Sequence, residues 1–182
     1  MMLNRRKLLQ VTASLIVLGC AVYLLLSPKR GEVIEKWQTT NDTFRIRVTA
    51  YNEKNSFPAL GGAYYIFESA PLASDTWTEI MSFRHDDPVA IPREQVRFVN
   101  PQVGYLFMGW MYAVTTDGGS TWCVWNAEKQ LQNWQSRNYN LIRAVRVAPD
   151  GTGIMTLHQP GEQEGGQSSL STKDFGRHWT IP

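Results

Sequence analysis

Thr115-Thr116-Asp117-Gly118-Gly119-Ser120-Thr121-Trp122 and Thr172-Lys173-Asp174-Phe175-Gly176-Arg177-His178-Trp179 fit one template, Thr-x-Asp-x-Gly-x-x-Trp. The template is that of a tight hairpin. A short polar turn lets the carboxylate of Asp117 or Asp174 accept hydrogen bonds from turn amides, and Gly119 or Gly176 can take the positive φ such a turn demands. Trp122 or Trp179 then drops a large ring against the sheet core. Thr115, Asp117, Gly119 and Trp122, with Thr172, Asp174, Gly176 and Trp179, are therefore read as structural positions. Both Asp residues staple turns and take no part in a reaction.

The similarity extends upstream. Val96–Tyr105 lines up with Val145–Ile154, each reading as strand, Pro-containing turn, then a Gly opening the next apolar run. The offset is 49 positions there and 57 at the hairpins, so the second copy carries extra residues, placed most simply in the polar run Gln159–Gln167. A period near 50 matches four-stranded propeller blades. An earlier, degenerate unit is expected over residues 43–80, with strands at Phe44–Val48 and Tyr64–Glu68 and with Trp77 standing where Trp122 stands. It lacks the Asp and the Gly. The two hairpins resemble the Asp-box of sialidase-type and related β-propeller repeats. That resemblance implies an all-β chain of antiparallel, blade-like hairpin repeats, an incomplete propeller or a sandwich. Three blades would consume the chain beyond Glu32, whereas propellers close with four to eight. Open sheet edges recruit other strands, so either a partner or a second copy is expected to cover them.

Residues 1–31 read as a basic leader, a membrane anchor and a short linker, and residues 32–182 as an extracytoplasmic β domain. Arg5-Arg6-Lys7 precedes an apolar run over residues 8–26 that Pro28 ends. At 1.5 Å per residue the run nearly spans a hydrocarbon layer of about 30 Å. The basic leader places that end in the cytoplasm and the bulk of the chain outside. The expected location is the bacterial inner membrane, single-pass, with the C-terminal domain in the periplasm. Val17-Leu18-Gly19-Cys20 resembles a lipobox, which would make Cys20 a lipidated residue. Asn4–Leu9 resembles a twin-arginine export signal. All three readings tether the domain outside the cytoplasm.

The formal charge of +2 comes from the leader; without Arg5, Arg6 and Lys7 the 18 basic residues fall to 15 against 16 acidic ones. A nearly neutral ectodomain with no basic stripe argues against a nucleic-acid partner. Cys123 is the one thiol outside the apolar run, so it is a small packed residue or forms an intermolecular disulfide. His85, His158 and His178 are scattered without metal-ligand spacing, so neither a metal nor a cofactor is expected. His85-Asp86-Asp87 is the nearest acid–base or metal cluster, and its placement before Pro88 reads as a solvated loop. No nucleophile elbow or phosphate-binding loop is present. Sialidases use an arginine trio, a Tyr–Glu pair and an acid on a closed six-bladed propeller. This chain is too short for that, and Arg45, Arg47, Arg97, Arg143 and Arg146 fall at strand positions where an exposed face is the default. The expectation is no catalytic residue and no enzyme.

What remains is surface. Gly109-Trp110-Met111-Tyr112 joins two apolar runs through a sharp turn. The connector Asn126–Asn140 sets Trp134 and Tyr139 among polar residues, with a short helical turn expected over Glu128–Trp134. Aromatic side chains in polar loops serve as interface anchors. The acidic, Gly-rich insertion with Glu162 and Glu164 reads as a recognition loop or a merely mobile one. Trp110, Tyr112, Trp134, Tyr139, Glu162 and Glu164 are thus the candidate partner-binding residues. An anchor, one small extracytoplasmic domain and the Thr115–Trp122 hairpin together resemble immunity proteins that shield bacteria from type VI secretion effectors such as phospholipases. That resemblance implies a toxin as protein partner. Photosystem-assembly propellers share the Asp-box and imply instead a subunit of a membrane complex. A glycan-binding or sialidase-like domain is the third reading.

Overall fold

The computed structural model of the chain describes residues 29–54, 62–85, 89–130, 142–158 and 167–181. They form three antiparallel sheets with almost no helix. Sheet 1 consists of β1 (Lys29–Thr40), β2 (Phe44–Lys54), β3 (Ala63–Pro71) and β4 (Thr78–His85), in that spatial order. Sheet 2 repeats the plan with β5 (Val96–Phe98), β6 (Gly104–Met108), β7 (Met111–Thr115) and β8 (Cys123–Asn126). Sheet 3 has β9 (Ile142–Val147), β10 (Gly153–His158) and β11 (Gln167–Thr172). A single bridge from Thr180 to Ser171 stands where the other sheets have a fourth strand. A 3-10 turn, Arg93–Gln95, leads into β5, and a four-residue helix α1 (Ala127–Gln130) follows β8. The chain is all-β and antiparallel among the described residues, as expected. The early unit over residues 43–80 lies within a full four-stranded sheet, and the extra residues of the second copy fall between β10 and β11.

Alternation decides which side chains meet. In β2, Phe44, Ile46, Val48 and Ala50 face sheet 2 and are buried, while Arg45 and Arg47 face away. Sheet 2 is the middle layer. Leu106, Met108 and Ala113 join the cluster with sheet 1, while Tyr105, Phe107, Tyr112 and Val114 join a second cluster with Met155, Leu157 and Leu170 of sheet 3. That is why β6 reads as an unbroken apolar run: both of its faces are covered.

The two outer faces differ. On sheet 1, Arg47 pairs with Glu68 at 2.7 Å and Arg45 with Asp75 at 2.7 Å. The Trp77 ring lies over both guanidinium groups, at 4.1 Å from Arg47 and 4.9 Å from Arg45. On sheet 3 the outer face carries two rows, Arg146–Ile154–Ser171 and Ala144–Thr156–Ser169, whose side chains other than Arg146 are short or aliphatic. Ile154 is 57% exposed there. Trp77 thus shields part of the outer face of sheet 1, and among the described residues no such cluster lies over Ile154 on sheet 3.

Candidate functional site

The two hairpins have nearly identical hydrogen bonding. The Thr115 hydroxyl donates to Asp117 Oδ1 (2.8 Å) and accepts from the Gly119 amide (3.0 Å). Asp117 Oδ1 also accepts from the Thr121 amide, and its Oδ2 from the Thr121 hydroxyl. In the second hairpin Thr172, Asp174 and Gly176 repeat the first set at 2.8 and 3.0 Å. There the amide and Nδ1 of His178 replace the two groups of Thr121, at 3.0 and 2.6 Å. The carboxylates do staple the turns, as their spacing implies.

The hairpins also do something the local pattern does not express: each grips the sheet before it. A Cβ added to Gly119 would stand 2.8 Å from the Phe44 ring, at the start of β2. Trp122 lies edge-on to Phe44 and donates its Nε1–H to Ser69 of β3 at 3.0 Å. In the second hairpin a Cβ on Gly176 would stand 2.5 Å from the Tyr112 hydroxyl. That hydroxyl donates to the Phe175 carbonyl at 2.7 Å, and Trp179 lies edge-on to Tyr112 at 5.4 Å. Phe175 itself holds a positive φ of 63°. The glycines leave room for an aromatic ring of the neighbouring sheet as well as for the turn. Trp77, the counterpart in sheet 1, folds outward over Arg45 and Arg47, and no sheet precedes sheet 1 among the described residues.

Both carboxylates resist protonation. Desolvation pushes Asp117 and Asp174 upward, but the hydrogen bonds from Thr121 and Thr115, and from His178 and Thr172, outweigh it. Asp117 is held below the ordinary carboxylate range and Asp174 is lowered to about 2. A carboxyl depressed in the folded state contributes stability above its unfolded pKa, near 4, and loses it as pH falls through the folded value. Thermal stability is therefore expected to drop between about pH 4 and pH 2. The D117N/D174N variant should be less stable at neutral pH and flatter across that window. An unchanged acid profile in the variant would remove the carboxylates as the cause.

A cleft of about 620 Å³ lies between β5 and β9, the edge strands of sheets 2 and 3 that face one another. Arg97, Arg143 and Arg146 line it together with Glu94, and Phe98, Val99 and Phe107 supply apolar wall. Arg143 and Arg146 are three apart, a spacing that puts residues of a regular strand on opposite faces. A bulge reconciles them. Ile142 pairs with Leu157 and Ala144 with Thr156, so Arg143 is an extra residue and both arginines border the cleft. Arg97 is held by its Nε–H, which donates to the Glu94 carbonyl at 2.9 Å. None of the three arginines is ion-paired with a carboxylate among the described residues. At the cleft floor Tyr105 donates its hydroxyl to the Val145 carbonyl at 3.2 Å. Burial raises the pKa of this hydroxyl, against the opposing charges of Arg97 and Arg146.

The candidate residues sort clearly. Tyr112 was expected at a partner surface, but it is 0% exposed and belongs to the core between sheets 2 and 3. Trp110 is half-buried and packs on Phe83. Cys123 opens β8 as a partly buried residue packed on the same core as Tyr112. His85 corrects the solvated-loop reading: it ends β4 and is buried. Trp134, Tyr139, Glu162, Glu164, Cys20, Asp86, Asp87 and the apolar run 8–26 lie outside the described residues. Among the described residues no helix is long and apolar enough to cross a membrane, and no three metal-binding side chains come together. Sequence reasoning missed the convergence of Arg97, Arg143 and Arg146. Their spacing carried no sign of it, because the bulge at Arg143 arises from pairing with β10. No family model, curated protein or solved structure matches this chain.

Proposed function

We propose that the chain is a protein-binding module tethered at the periplasmic face of the bacterial inner membrane. In this reading it is an immunity protein that neutralises a secreted antibacterial toxin by covering the toxin's working surface. The three antiparallel sheets support it; in this reading they are blades of an incomplete propeller, with the Asp-box-like hairpins as inter-blade clasps. The observation that carries the reading is the cleft between β5 and β9. It combines three exposed guanidinium groups, without a carboxylate partner among the described residues, with an apolar wall, the mixture of charge and hydrophobic contact that protein interfaces use. The outer face of sheet 3, where Ile154 is exposed, adjoins it through Ala144, Arg146 and Val147, which border both.

The test is capture. The tagged full-length chain, extracted in mild detergent after cross-linking of intact cells, should retain one protein in near-stoichiometric amount. Coexpression should protect a susceptible cell from that protein if it is a toxin. Recovery of a resident membrane-complex subunit instead would favour an assembly factor. Turnover of sialosides or other glycosides by the same preparation, with no protein captured, would overturn the binding reading.

A further inference from the structure

We infer that the partner enters the cleft between β5 and β9 as an acidic, extended segment whose carboxylates meet Arg97, Arg143 and Arg146; this rests on the protein-binding reading above. Outside the leader the chain is nearly neutral, and the arginines on sheet 1 are already compensated, Arg45 by Asp75 and Arg47 by Glu68. Among the described residues Arg97, Arg143 and Arg146 have no carboxylate partner, and Glu94 is the one acidic residue of the cleft's described lining. A guanidinium group matches a carboxylate as a two-pronged donor, which favours acidic side chains over other ligands of equal size.

β5 and β9 are both edge strands, so the cleft runs between two strand edges, a geometry that accommodates an extended chain. Phe98 and Val99 give its intervening side chains an apolar wall. Arg97 is already oriented by the Glu94 carbonyl, which lowers the ordering cost of binding. Tyr105, at the floor, is committed to the Val145 carbonyl and serves as a fixed base under the arginines.

The experiment uses the full-length chain in detergent micelles and a labelled peptide of alternating Glu and Ala, read by fluorescence anisotropy, with a Gln-for-Glu peptide alongside. The Glu peptide should bind and the Gln peptide should not. The R97Q/R143Q/R146Q variant should bind at least about tenfold more weakly, since each exposed pair contributes modestly. Arg177→Gln, at an exposed position in the second hairpin outside the cleft, should bind as the wild type does. Raising ionic strength from about 0.05 to about 0.5 M should weaken binding, because screening shortens to a few Å. If the triple variant is unfolded by circular dichroism, Arg97→Gln, Arg143→Gln and Arg146→Gln singly should each weaken binding about twofold or more.

Equal binding of the Glu and Gln peptides, or arginine variants that bind like the wild type, would overturn the inference. Complete displacement of the peptide by inorganic phosphate would overturn it too, in favour of a small-anion site. A polyanionic oligonucleotide binding far more tightly than the peptide would do the same in favour of a nucleic acid. Cross-linking separates this failure from that of the broader reading. If wild-type and triple-variant chains capture the same protein, the cleft is wrong and protein binding stands; if neither captures any, protein binding itself falls.

Discussion

Tyr112→Ala is expected to lower the stability of the folded chain by about 3–5 kcal/mol, the range for emptying a buried aromatic site. Tyr112 is at the centre of the contact between sheets 2 and 3. It is fully buried, its ring lies 5.9 Å from Tyr105 and 5.4 Å from Trp179, and its hydroxyl binds the Phe175 carbonyl. Burial holds that hydroxyl protonated far above the ordinary phenol range. Removing the side chain opens a cavity and leaves the Phe175 carbonyl without its donor. Tyr112→Phe keeps the ring and loses the hydrogen bond, so it should cost only about 1 kcal/mol. Urea denaturation of the full-length chain followed by tryptophan fluorescence would rank the three proteins. An alanine variant within about 1 kcal/mol of the wild type, less than the range for a cavity, would mean that the two sheets are held together by something else.

Gly176→Ala is expected to cost about 2–4 kcal/mol from two sources. At φ +87° an L-residue is strained by about 1–2 kcal/mol. The new methyl also lands 2.5 Å from the Tyr112 hydroxyl and 2.8 Å from Trp179, an overpacking that typically costs about 1–3 kcal/mol. Gly151 provides the comparison. It has the same φ of 87°, but a Cβ there would approach nothing nearer than 3.2 Å. Gly151→Ala should therefore show the strain with little of the clash. The closest contact of Gly176→Ala is an oxygen that Tyr112→Phe deletes, so the glycine substitution should be milder in the Tyr112→Phe background than in the wild type. Equal costs in both backgrounds would place the effect in the turn alone and dissolve the clasp.

The contrast between these two glycines shows how far a sequence can be read. Thr115, Asp117 and Gly119 interact within five residues of one another, so their hydrogen bonds follow from turn chemistry and the template identifies them. The alternation of Phe44, Ile46 and Val48 with Arg45 and Arg47 identifies a strand for the same reason: the side-chain period is a property of the local backbone. Tyr112 was misassigned to the surface because the pattern of Gly109–Tyr112 announces a turn and a strand but not what lies opposite. Its partners, Phe175 and Trp179, come from more than sixty residues further along.

By itself the sequence determined the antiparallel strands, the repeat of about 50 residues, the two stapled hairpins and the site of the extra residues in the second copy. Each rests on interactions between near neighbours or on a period two residues long. Tertiary structure alone decided that the hairpins grip the sheet before them and that sheet 2 is covered on both faces. It also decided that Trp77 folds over Arg45 and Arg47 on the outer face of sheet 1, that Ile154 stands exposed on that of sheet 3, and that Arg97, Arg143 and Arg146 converge. The last depends on a bulge created by the pairing of β9 with β10 and on the packing of sheet 3 against sheet 2. Such register and packing are set by the shapes of distant partners, which local composition does not encode.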